Sequence, residues 1–163
     1  MDIYKHYTPL GLFLLAVEGN RFIKSWFAAP DEEQAHHQHT PSLPNPFAAD
    51  LDRYFRGEPI SFDWPLKFSG TAFQQRVWHE LVKIPYGQTL TYKQIGDQLG
   101  TKGYRAVGRA VGANPLVIVV PCHRVLAANG LGGYSCGLPI KRSLLTLEKV
   151  LTENGAGQTA GLI

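Results

Sequence analysis

A cysteine beside a histidine is the part of this sequence best suited to chemistry. Cys122 and His123 lie in the run Pro-Cys-His-Arg-Val, directly after the apolar residues 116–120. A thiolate is a strong nucleophile, and a neighbouring base or positive dipole makes it available at neutral pH. Adjacent residues of a strand point to opposite sides, so the pair can cooperate only if the backbone bends, which Pro121 favours. From these five residues alone, a buried inert cysteine beside a solvent-facing histidine is the safer interpretation.

The cysteine and histidine content predicts neither a metal site nor a disulfide. Cys122 and Cys136 are the two cysteines, and neither belongs to a Cys-x-x-Cys pair of the kind that holds structural zinc. His36, His37 and His39 lie in a proline-containing stretch, which indicates a solvated loop. No apolar run approaches the roughly 18 to 20 residues of a membrane span, and no export signal is evident. We therefore expect a cytoplasmic protein with reduced thiols and no membrane partner.

The net charge of +3 is unevenly distributed. Residues 1–67 carry six Lys or Arg against nine Asp or Glu, whereas residues 68–150 carry ten against three. A concentration of positive charge in one half favours contact with a polyanion such as nucleic acid. A merely soluble basic surface would give the same pattern, so charge alone does not decide between the two.

Residues 1–67 contain the signals of a small α/β unit. Two β-rich runs flank a Gly-Asn turn, and a later run has apolar residues at helical spacing that stop before Gly57. The predicted elements are a hairpin over 10–17 and 21–27, a loop over 30–46, a helix over 47–55 and a short strand near 60–66.

Residues 68–150 are predicted to be mainly helical. Thr91 is placed to cap one helix and Gly100 to end it, and a second helix follows after a short turn. This is the helix-turn-helix layout. The predicted elements are helices over 73–82, 92–99 and 104–113, a strand over 116–120, a Gly-rich loop over 129–135 and a last helix over 140–150.

The second helix of this pair has a composition suited to close approach. Arg105 and Arg109 lie one turn apart, with the small residues Ala106 and Gly108 between them. In DNA readers such a helix enters a groove, but a tightly packed core helix has the same composition. The pattern alone leaves these two interpretations open.

Several further motifs lie in order around the Pro-Cys-His-Arg-Val run. They are Phe73 to Trp78, Tyr92, Arg105-Ala106-Val107-Gly108 and Asn114-Pro115 before it, and Gly132-Gly133-Tyr134-Ser135, Lys141, Leu144, Leu145 and Glu148 after it. Over roughly residues 47–150 this set resembles the O6-alkylguanine-DNA alkyltransferases, also called methylated-DNA–protein-cysteine methyltransferases. An ordered set over such a span is far more specific than one short motif. The region before Phe47 is only loosely similar to the family's variable N-terminal domain.

The resemblance implies a fold in two parts. We expect an α/β protein with a small N-terminal domain over 1–67, made of an antiparallel sheet plus a helix. A mainly helical, winged-helix-like domain with the helix-turn-helix is expected over 68–150, followed by a flexible tail over 151–163.

The resemblance also implies four catalytic residues. Cys122 resembles the acceptor thiol, and His123 the base that takes its proton through a water. Glu148 resembles the carboxylate that orients His123, in accordance with triad logic. Tyr92 is similar to the tyrosine that donates a proton toward the guanine ring.

The implied DNA contacts and base pocket draw on the same motifs. Arg105 resembles the finger that fills the duplex after the nucleotide is rotated out, and Arg109 is expected to attract phosphate. Asn114 resembles the residue that ties the recognition helix to the active-site segment. The remaining implied residues are Ala106, Gly108 and Tyr92 at the DNA, and Val125, Tyr134 and Ser135, with the Cys122 carbonyl, around the flipped base.

The implied activity is direct reversal of DNA damage by irreversible alkyl transfer to Cys122. A thioether has no carbonyl for water to attack, and the motifs contain no second activated nucleophile, so each molecule should act once. The expected partner is double-stranded DNA containing O6-alkylguanine, with O4-alkylthymine as a second candidate lesion. No cofactor is expected, and the chain is expected to be a monomer.

Two positions of the sequence depart from the family pattern. Cys136 stands where a glycine is common and Ser143 where a tryptophan is common.

Two alternative functions come from other classes of protein. The first alternative is a lesion-binding alkyltransferase-like protein, but such proteins lack the cysteine found at position 122. The second is a helix-turn-helix regulator with a structural or sensing Cys122, against which the absence of a second DNA-binding domain weighs.

Overall fold

The computed structural model describes residues 1–152, which begin with a three-stranded antiparallel sheet. Its strands are β1 (Asp2–Thr8), β2 (Gly11–Glu18) and β3 (Arg21–Phe27), in the order β1-β2-β3. The predicted hairpin is confirmed, with its turn at Gly19 and Asn20, both of positive φ. The central strand is buried from Leu12 to Ala16, so both of its faces are covered.

The loop predicted over residues 30–46 is wrong at its start, where a helix forms. Helix α1 (Pro30–His36) has proline in its first turn, where the missing N–H is no loss. The Glu32 carboxylate accepts from the Ala29 N–H at 3.0 Å, and acidic residues in the first turn suit the helix dipole. His36 therefore ends a helix, and its Nδ1 lies 2.7 Å from the Thr40 hydroxyl.

Helix α2 (Phe47–Phe55) has the bounds that the apolar spacing predicts. It buries Leu51 and Tyr54 and stops before Gly57, which has φ 86°. The strand predicted near residues 60–66 is not formed. One bridge joins Leu66 to Phe22, and the prolines at 59 and 65 cannot donate to a ladder.

Four α-helices lie in the second half of the described chain. They are α3 (Ala72–Val82), α4 (Tyr92–Gln98), α5 (Tyr104–Gly112) and α6 (Leu138–Leu147). Thr71 and Thr91 cap α3 and α4 by accepting from backbone N–H groups, each at 3.1 Å. Gly100, with φ 70°, ends α4 and leads to α5, so the helix-turn-helix is confirmed. Helix α6 begins two residues before its predicted start and ends three residues before its predicted end.

The strand predicted over residues 116–120 is wrong. Its backbone turns at Ile118, which has φ 71°, and a bridge joins Val117 to Val120. Asn114 closes this turn from inside, because its amide donates to the Val120 carbonyl at 2.8 Å and its Oδ1 accepts from the Leu116 N–H at 3.0 Å. A short pair of parallel strands, β4 (Leu90–Thr91) and β5 (Val125–Leu126), lies beyond it.

One hydrophobic cluster joins both halves of the chain, from Phe13 in the sheet to Trp78 in α3 and Cys122. Ser25 on β3 adds two hydrogen bonds across, from its N–H to the Pro115 carbonyl at 2.9 Å and from its hydroxyl to the Val117 carbonyl at 2.8 Å. The division into domains at residues 67 and 68 stays a prediction.

The end of the described chain lies against a second, smaller cluster. Leu151, the first residue of the predicted tail, is buried there with Leu126, Leu145 and Val150. The rest of the predicted tail, from residue 153, lies outside the described residues. Over residues 1–152, no helix has the length and apolar character needed to cross a membrane.

The contact between α4 and α5 predicts a sharp difference between two glycines. A Cβ at Gly96 would lie 2.7 Å from the Tyr104 ring, whose hydroxyl donates to the Asp97 carboxylate at 2.8 Å. We expect Gly96→Ala to lower the free energy of unfolding by about 1–3 kcal/mol, because the two helices must separate. Urea unfolding measures this. Gly112→Ala is the control, since nothing lies within 4 Å of its Cβ position, and equal losses in both variants would contradict the packing argument.

Candidate active site and DNA-contact helix

The backbone bends at the cysteine, as Pro121 predicts. Residues Cys122–Arg124 form a single 3₁₀ turn, in which the Arg124 N–H donates to the Pro121 carbonyl at 3.0 Å. Cys122 and His123 are both buried, with exposed fractions of 4% and 0%. The interpretation of His123 as solvent-facing is therefore excluded.

His123 and Glu148 form a buried pair. The His123 Nε2 lies 2.5 Å from the Glu148 Oε2, and neither side chain has exposed surface. Glu148 follows the last residue of α6, where the end of the helix brings it against the 3₁₀ turn. The structure thus pairs Glu148 with His123, the residue that follows Cys122 in the chain.

Three further donors surround the Glu148 carboxylate, and sequence reasoning missed all of them. Arg124 donates from Nε to Oε1 at 2.7 Å and from Nη2 to Oε2 at 3.2 Å. The Tyr54 hydroxyl donates to Oε2 at 2.5 Å, and the Gly87 N–H donates to Oε1 at 3.2 Å. Arg124 stands inside the Cys-His-Arg run, so its neighbours could have drawn attention to it. Tyr54 has no local signal, because it is one apolar position of a helix from the other half of the chain.

The charges around this pair fix the proton on the histidine ring. Burial opposes ionisation of Glu148, but His123 and Arg124 outweigh it and lower its pKa to about 2. Burial lowers the pKa of His123, although Glu148 acts in the opposite direction. A neutral His123 beside a carboxylate carries its proton on Nε2, leaving Nδ1 as a proton acceptor. Within residues 1–152, that buried Nδ1 has no hydrogen-bond partner.

The Cys122 thiol lies in a desolvated position. Burial raises its pKa to about 11, while a hydrogen bond with the Asn114 side chain acts in the opposite direction. Asn114, which closes the turn over residues 116–120, therefore also favours the ionised thiol. Because the resting thiol stays protonated, a base must remove its proton during any attack.

A small cavity opens onto the thiol. It has a volume of about 110 Å³ and brings together many of the predicted site residues. The cavity is lined by Tyr92, Gly108, Val111, Gly112, Cys122, Gly133, Tyr134 and Ser135. The Tyr134 hydroxyl is buried and has no hydrogen-bond partner in the described part of the chain. Asn114 and Val125 are not among the lining residues.

Tyr92, the first residue of α4, forms one wall of the cavity. Burial raises its pKa, while the Gly133 backbone acts in the opposite direction. A Cβ at Gly132 would lie 2.8 Å from the Tyr92 hydroxyl, and Gly132 has φ 73°. Position 132 therefore favours glycine for two reasons: its φ is positive, and the Tyr92 side chain leaves no room for a Cβ.

Lys141 holds the Gly-rich loop against the active-site turn. Its buried Nζ donates to the carbonyls of Val125, Leu131 and Gly133 at 2.7, 2.5 and 2.9 Å. Burial lowers the pKa of Lys141 to about 8. The three carbonyl acceptors match the three N–H donors of the ammonium, so we assign the charged form at neutral pH. The Val125 carbonyl, which the family resemblance places at the flipped nucleobase, therefore already accepts a hydrogen bond from Lys141.

Helix α5 combines both of the interpretations that its sequence left open. Val107, Ala110 and Val111 are buried against the core, and the Ala110 carbonyl accepts from the Trp78 indole at 2.8 Å. Arg105 and Arg109 are exposed, with Ala106 and Gly108 half-buried beside them. The helix therefore packs on one face and presents its two arginines on the other.

Both cysteines are free thiols. Cys136 is half-buried in the loop directly after the cavity residues Tyr134 and Ser135, and burial raises its pKa. Ser143 lies half-buried on α6. In the described part of the chain, neither side chain is a hydrogen-bond partner of His123 or Glu148.

The fold and site define a class: an α/β protein whose helix-turn-helix lies over a buried cysteine, histidine and glutamate. Residues 72–150 match the family model described as the DNA-binding domain of 6-O-methylguanine DNA methyltransferase. A methylated-DNA–protein-cysteine methyltransferase of Saccharolobus islandicus is 43% identical over 148 residues, covering 91% of this chain and 94% of that protein. The Mycobacterium bovis protein of the same name is 45% identical over 147 residues, covering 87% and 88%.

A solved structure agrees with these relatives. Mycobacterium tuberculosis OGT in complex with DNA superposes with a TM-score of 0.79 at 40% identity, covering 91% of this chain and 93% of that one. This chain belongs to the methylated-DNA–protein-cysteine methyltransferase family.

The three carbonyls bound by Lys141 predict that this residue stabilises the loop. We expect Lys141→Met to lower the free energy of unfolding by about 2–4 kcal/mol, because it leaves buried carbonyls without donors. Amide hydrogen exchange over residues 131–135 should quicken as well. Arg142→Met is the matched control on the exposed face of α6 and should change stability by about 0.5 kcal/mol or less. Unchanged exchange in Lys141→Met would show that the lysine does not order the loop.

Proposed function

We propose that this chain repairs DNA by direct reversal, as a methylated-DNA–protein-cysteine S-methyltransferase that moves an alkyl group from O6-alkylguanine to Cys122. The observation that carries this proposal is a cysteine at a cavity wall, beside a buried histidine–glutamate pair and beneath a helix-turn-helix. Family membership supports it independently. The partner is double-stranded DNA containing the lesion, and O4-alkylthymine is a second candidate substrate.

The proposed reaction begins with proton transfer away from Cys122. The thiol proton passes through a water to His123 Nδ1, and Glu148 stabilises the imidazolium that forms. The sulfur attacks the alkyl carbon, and the bond between that carbon and O6 breaks. Tyr92 donates a proton toward the leaving guanine. In balance, one S–C bond replaces one O–C bond, a proton replaces the alkyl group on guanine, and the thiol proton taken by His123 returns through solvent to Tyr92.

The cavity residues are proposed to recognise the flipped base. Tyr134 and Ser135 line the cavity, and the Cys122 carbonyl, the Val125 carbonyl and the Asn114 side chain are proposed to complete the contacts with the base. A volume of about 110 Å³ is well below the roughly 300–1,000 Å³ that encloses drug-sized ligands.

Helix α5 is proposed to enter the minor groove. The small side chains of Ala106 and Gly108 permit close approach, while Arg105 holds the opened step and Arg109 attracts phosphate. Tyr92 borders the same opening. Flipping exposes an alkyl carbon that a buried thiol cannot reach in stacked DNA.

We propose a division of labour along the chain. Residues 68–150 carry DNA contact and chemistry, and residues 1–67 support the active-site turn through Ser25 and Tyr54. The protein is proposed to act in the cytoplasm as a monomer, where reducing conditions keep Cys122 available.

The chemistry predicts a stoichiometry of one. With excess DNA containing O6-methylguanine, product should reach a plateau at about one equivalent per protein molecule, because a thioether is not released by water. Intact-mass measurement should show one added methyl group, and peptide mapping should place it on Cys122. Sustained turnover, or a methyl group elsewhere, would refute the acceptor role.

Two cysteine variants serve as controls for this experiment. Cys122→Ser should give no transfer, since a serine hydroxyl is a far weaker nucleophile at neutral pH, and should still bind the lesion. Cys136→Gly should retain transfer of a methyl group, because this half-buried thiol lies apart from the His123–Glu148 pair.

The two exposed arginines of α5 are expected to differ. Arg105→Ala should slow repair in duplex DNA at least about tenfold, or about 1.4 kcal/mol, and have little effect on the free modified base, which needs no flipping. Arg109→Ala should weaken binding to any sequence and lower the slope of affinity against salt by about one. Single-turnover rates and salt titrations measure both effects. Equal loss on duplex and free base would contradict the finger assignment of Arg105.

A further inference from the structure

Tyr54 is the one donor to Glu148 that comes from the N-terminal half of the described chain. Its side chain is fully buried, and its hydroxyl lies 2.5 Å from the Glu148 Oε2 and 3.5 Å from the His123 Nε2. Its ring is fixed by edge and tilted contacts with Phe55, Phe62 and Tyr86. The hydroxyl is thus held in one place, where Tyr54 and His123 share a single carboxylate oxygen.

We infer that Tyr54 is a positioning residue for alkyl transfer, which shares Glu148 Oε2 with His123 and so limits how strongly that carboxylate holds a proton on the histidine. This inference rests on the proposed function of the site. Tyr54 is not among the residues that line the cavity, and its hydroxyl bonds to Glu148, so it acts through the histidine–glutamate pair.

The direction of the effect follows from the hydrogen bonds. Burial and the charge of Glu148 keep the pKa of Tyr54 well above its usual value, so the hydroxyl remains a donor. A hydrogen bond donated to Oε2 withdraws negative charge from that oxygen. The oxygen then attracts a protonated His123 less strongly. Without that donor, Glu148 stabilises protonated His123 more strongly, and the pKa of His123 rises.

Other groups around the pair do not duplicate this role. The remaining titratable or charged groups that face it are Tyr86, Cys122, Arg124, Tyr134 and Lys141. Arg124 and the Gly87 N–H also bond to the carboxylate and keep it oriented when Tyr54 is changed. The Tyr86 hydroxyl instead donates to the Leu147 carbonyl at 3.1 Å. Removal of the Tyr54 hydroxyl should therefore change the electrostatics of the pair more than its geometry.

Tyr54→Phe tests the inference because it keeps the ring and removes only the hydroxyl. Titration of the His123 ring by ¹⁵N NMR in the full chain should show a pKa higher by about 0.5 or more than in the unsubstituted protein. The base must be neutral to accept a proton, so the single-turnover rate should fall about threefold on the acid limb of its pH profile. The two rates should converge above about pH 8, where His123 is neutral in both proteins.

Tyr86→Phe is the matched control, since it removes a neighbouring hydroxyl that does not bond to Glu148. It should leave the His123 titration unchanged. An unchanged or lowered His123 pKa in Tyr54→Phe, an equal rise in Tyr86→Phe, or an equal loss of rate at every pH would overturn the inference. If the unsubstituted protein transfers no alkyl group, the proposed function fails, and the NMR titration still decides the role of Tyr54.

Discussion

A carboxylate removed from water is costly unless donors replace the water that it loses, and Glu148 is the point where this protein meets that requirement. Its two oxygens accept from His123, Arg124, Tyr54 and the Gly87 N–H. These donors come from α2, from the loop before β4 and from the 3₁₀ turn. The carboxylate is satisfied only when all three segments are in place, so the fold and the histidine–glutamate pair are assembled together.

This constraint explains why the two halves of the chain share one core. The N-terminal sheet has no residue in the cavity, yet Ser25 bonds to the Pro115 and Val117 carbonyls behind the active-site turn. Tyr54 reaches the carboxylate itself. A change in the N-terminal half can therefore reach the chemistry through hydrogen bonds, without touching DNA or the thiol.

The sequence predicted those elements whose ends carry local signals. Thr91 and Gly100 bound α4 because capping is decided within a few residues. The segment from residue 116 to 120 was mispredicted because an apolar run records burial and does not distinguish a strand from a buried turn. The pairing of His123 with Glu148 followed from family resemblance, whereas Tyr54 lies 94 residues from Glu148 in the chain. No periodicity reveals a contact at that separation.

Burial determines the protonation states of Cys122 and His123 as well as the packing of the fold. The Cys122 pKa of about 11 means that the thiol rests in its protonated, unreactive form, which protects it from other electrophiles. Burial also lowers the pKa of His123 and so keeps that base neutral. A thiol and a neutral imidazole cost little to bury, whereas the ion pair formed by proton transfer needs the Glu148 carboxylate. The reaction is therefore favoured only when a substrate occupies the cavity. Its alkyl carbon can then bond to the sulfur as the thiol proton moves to His123.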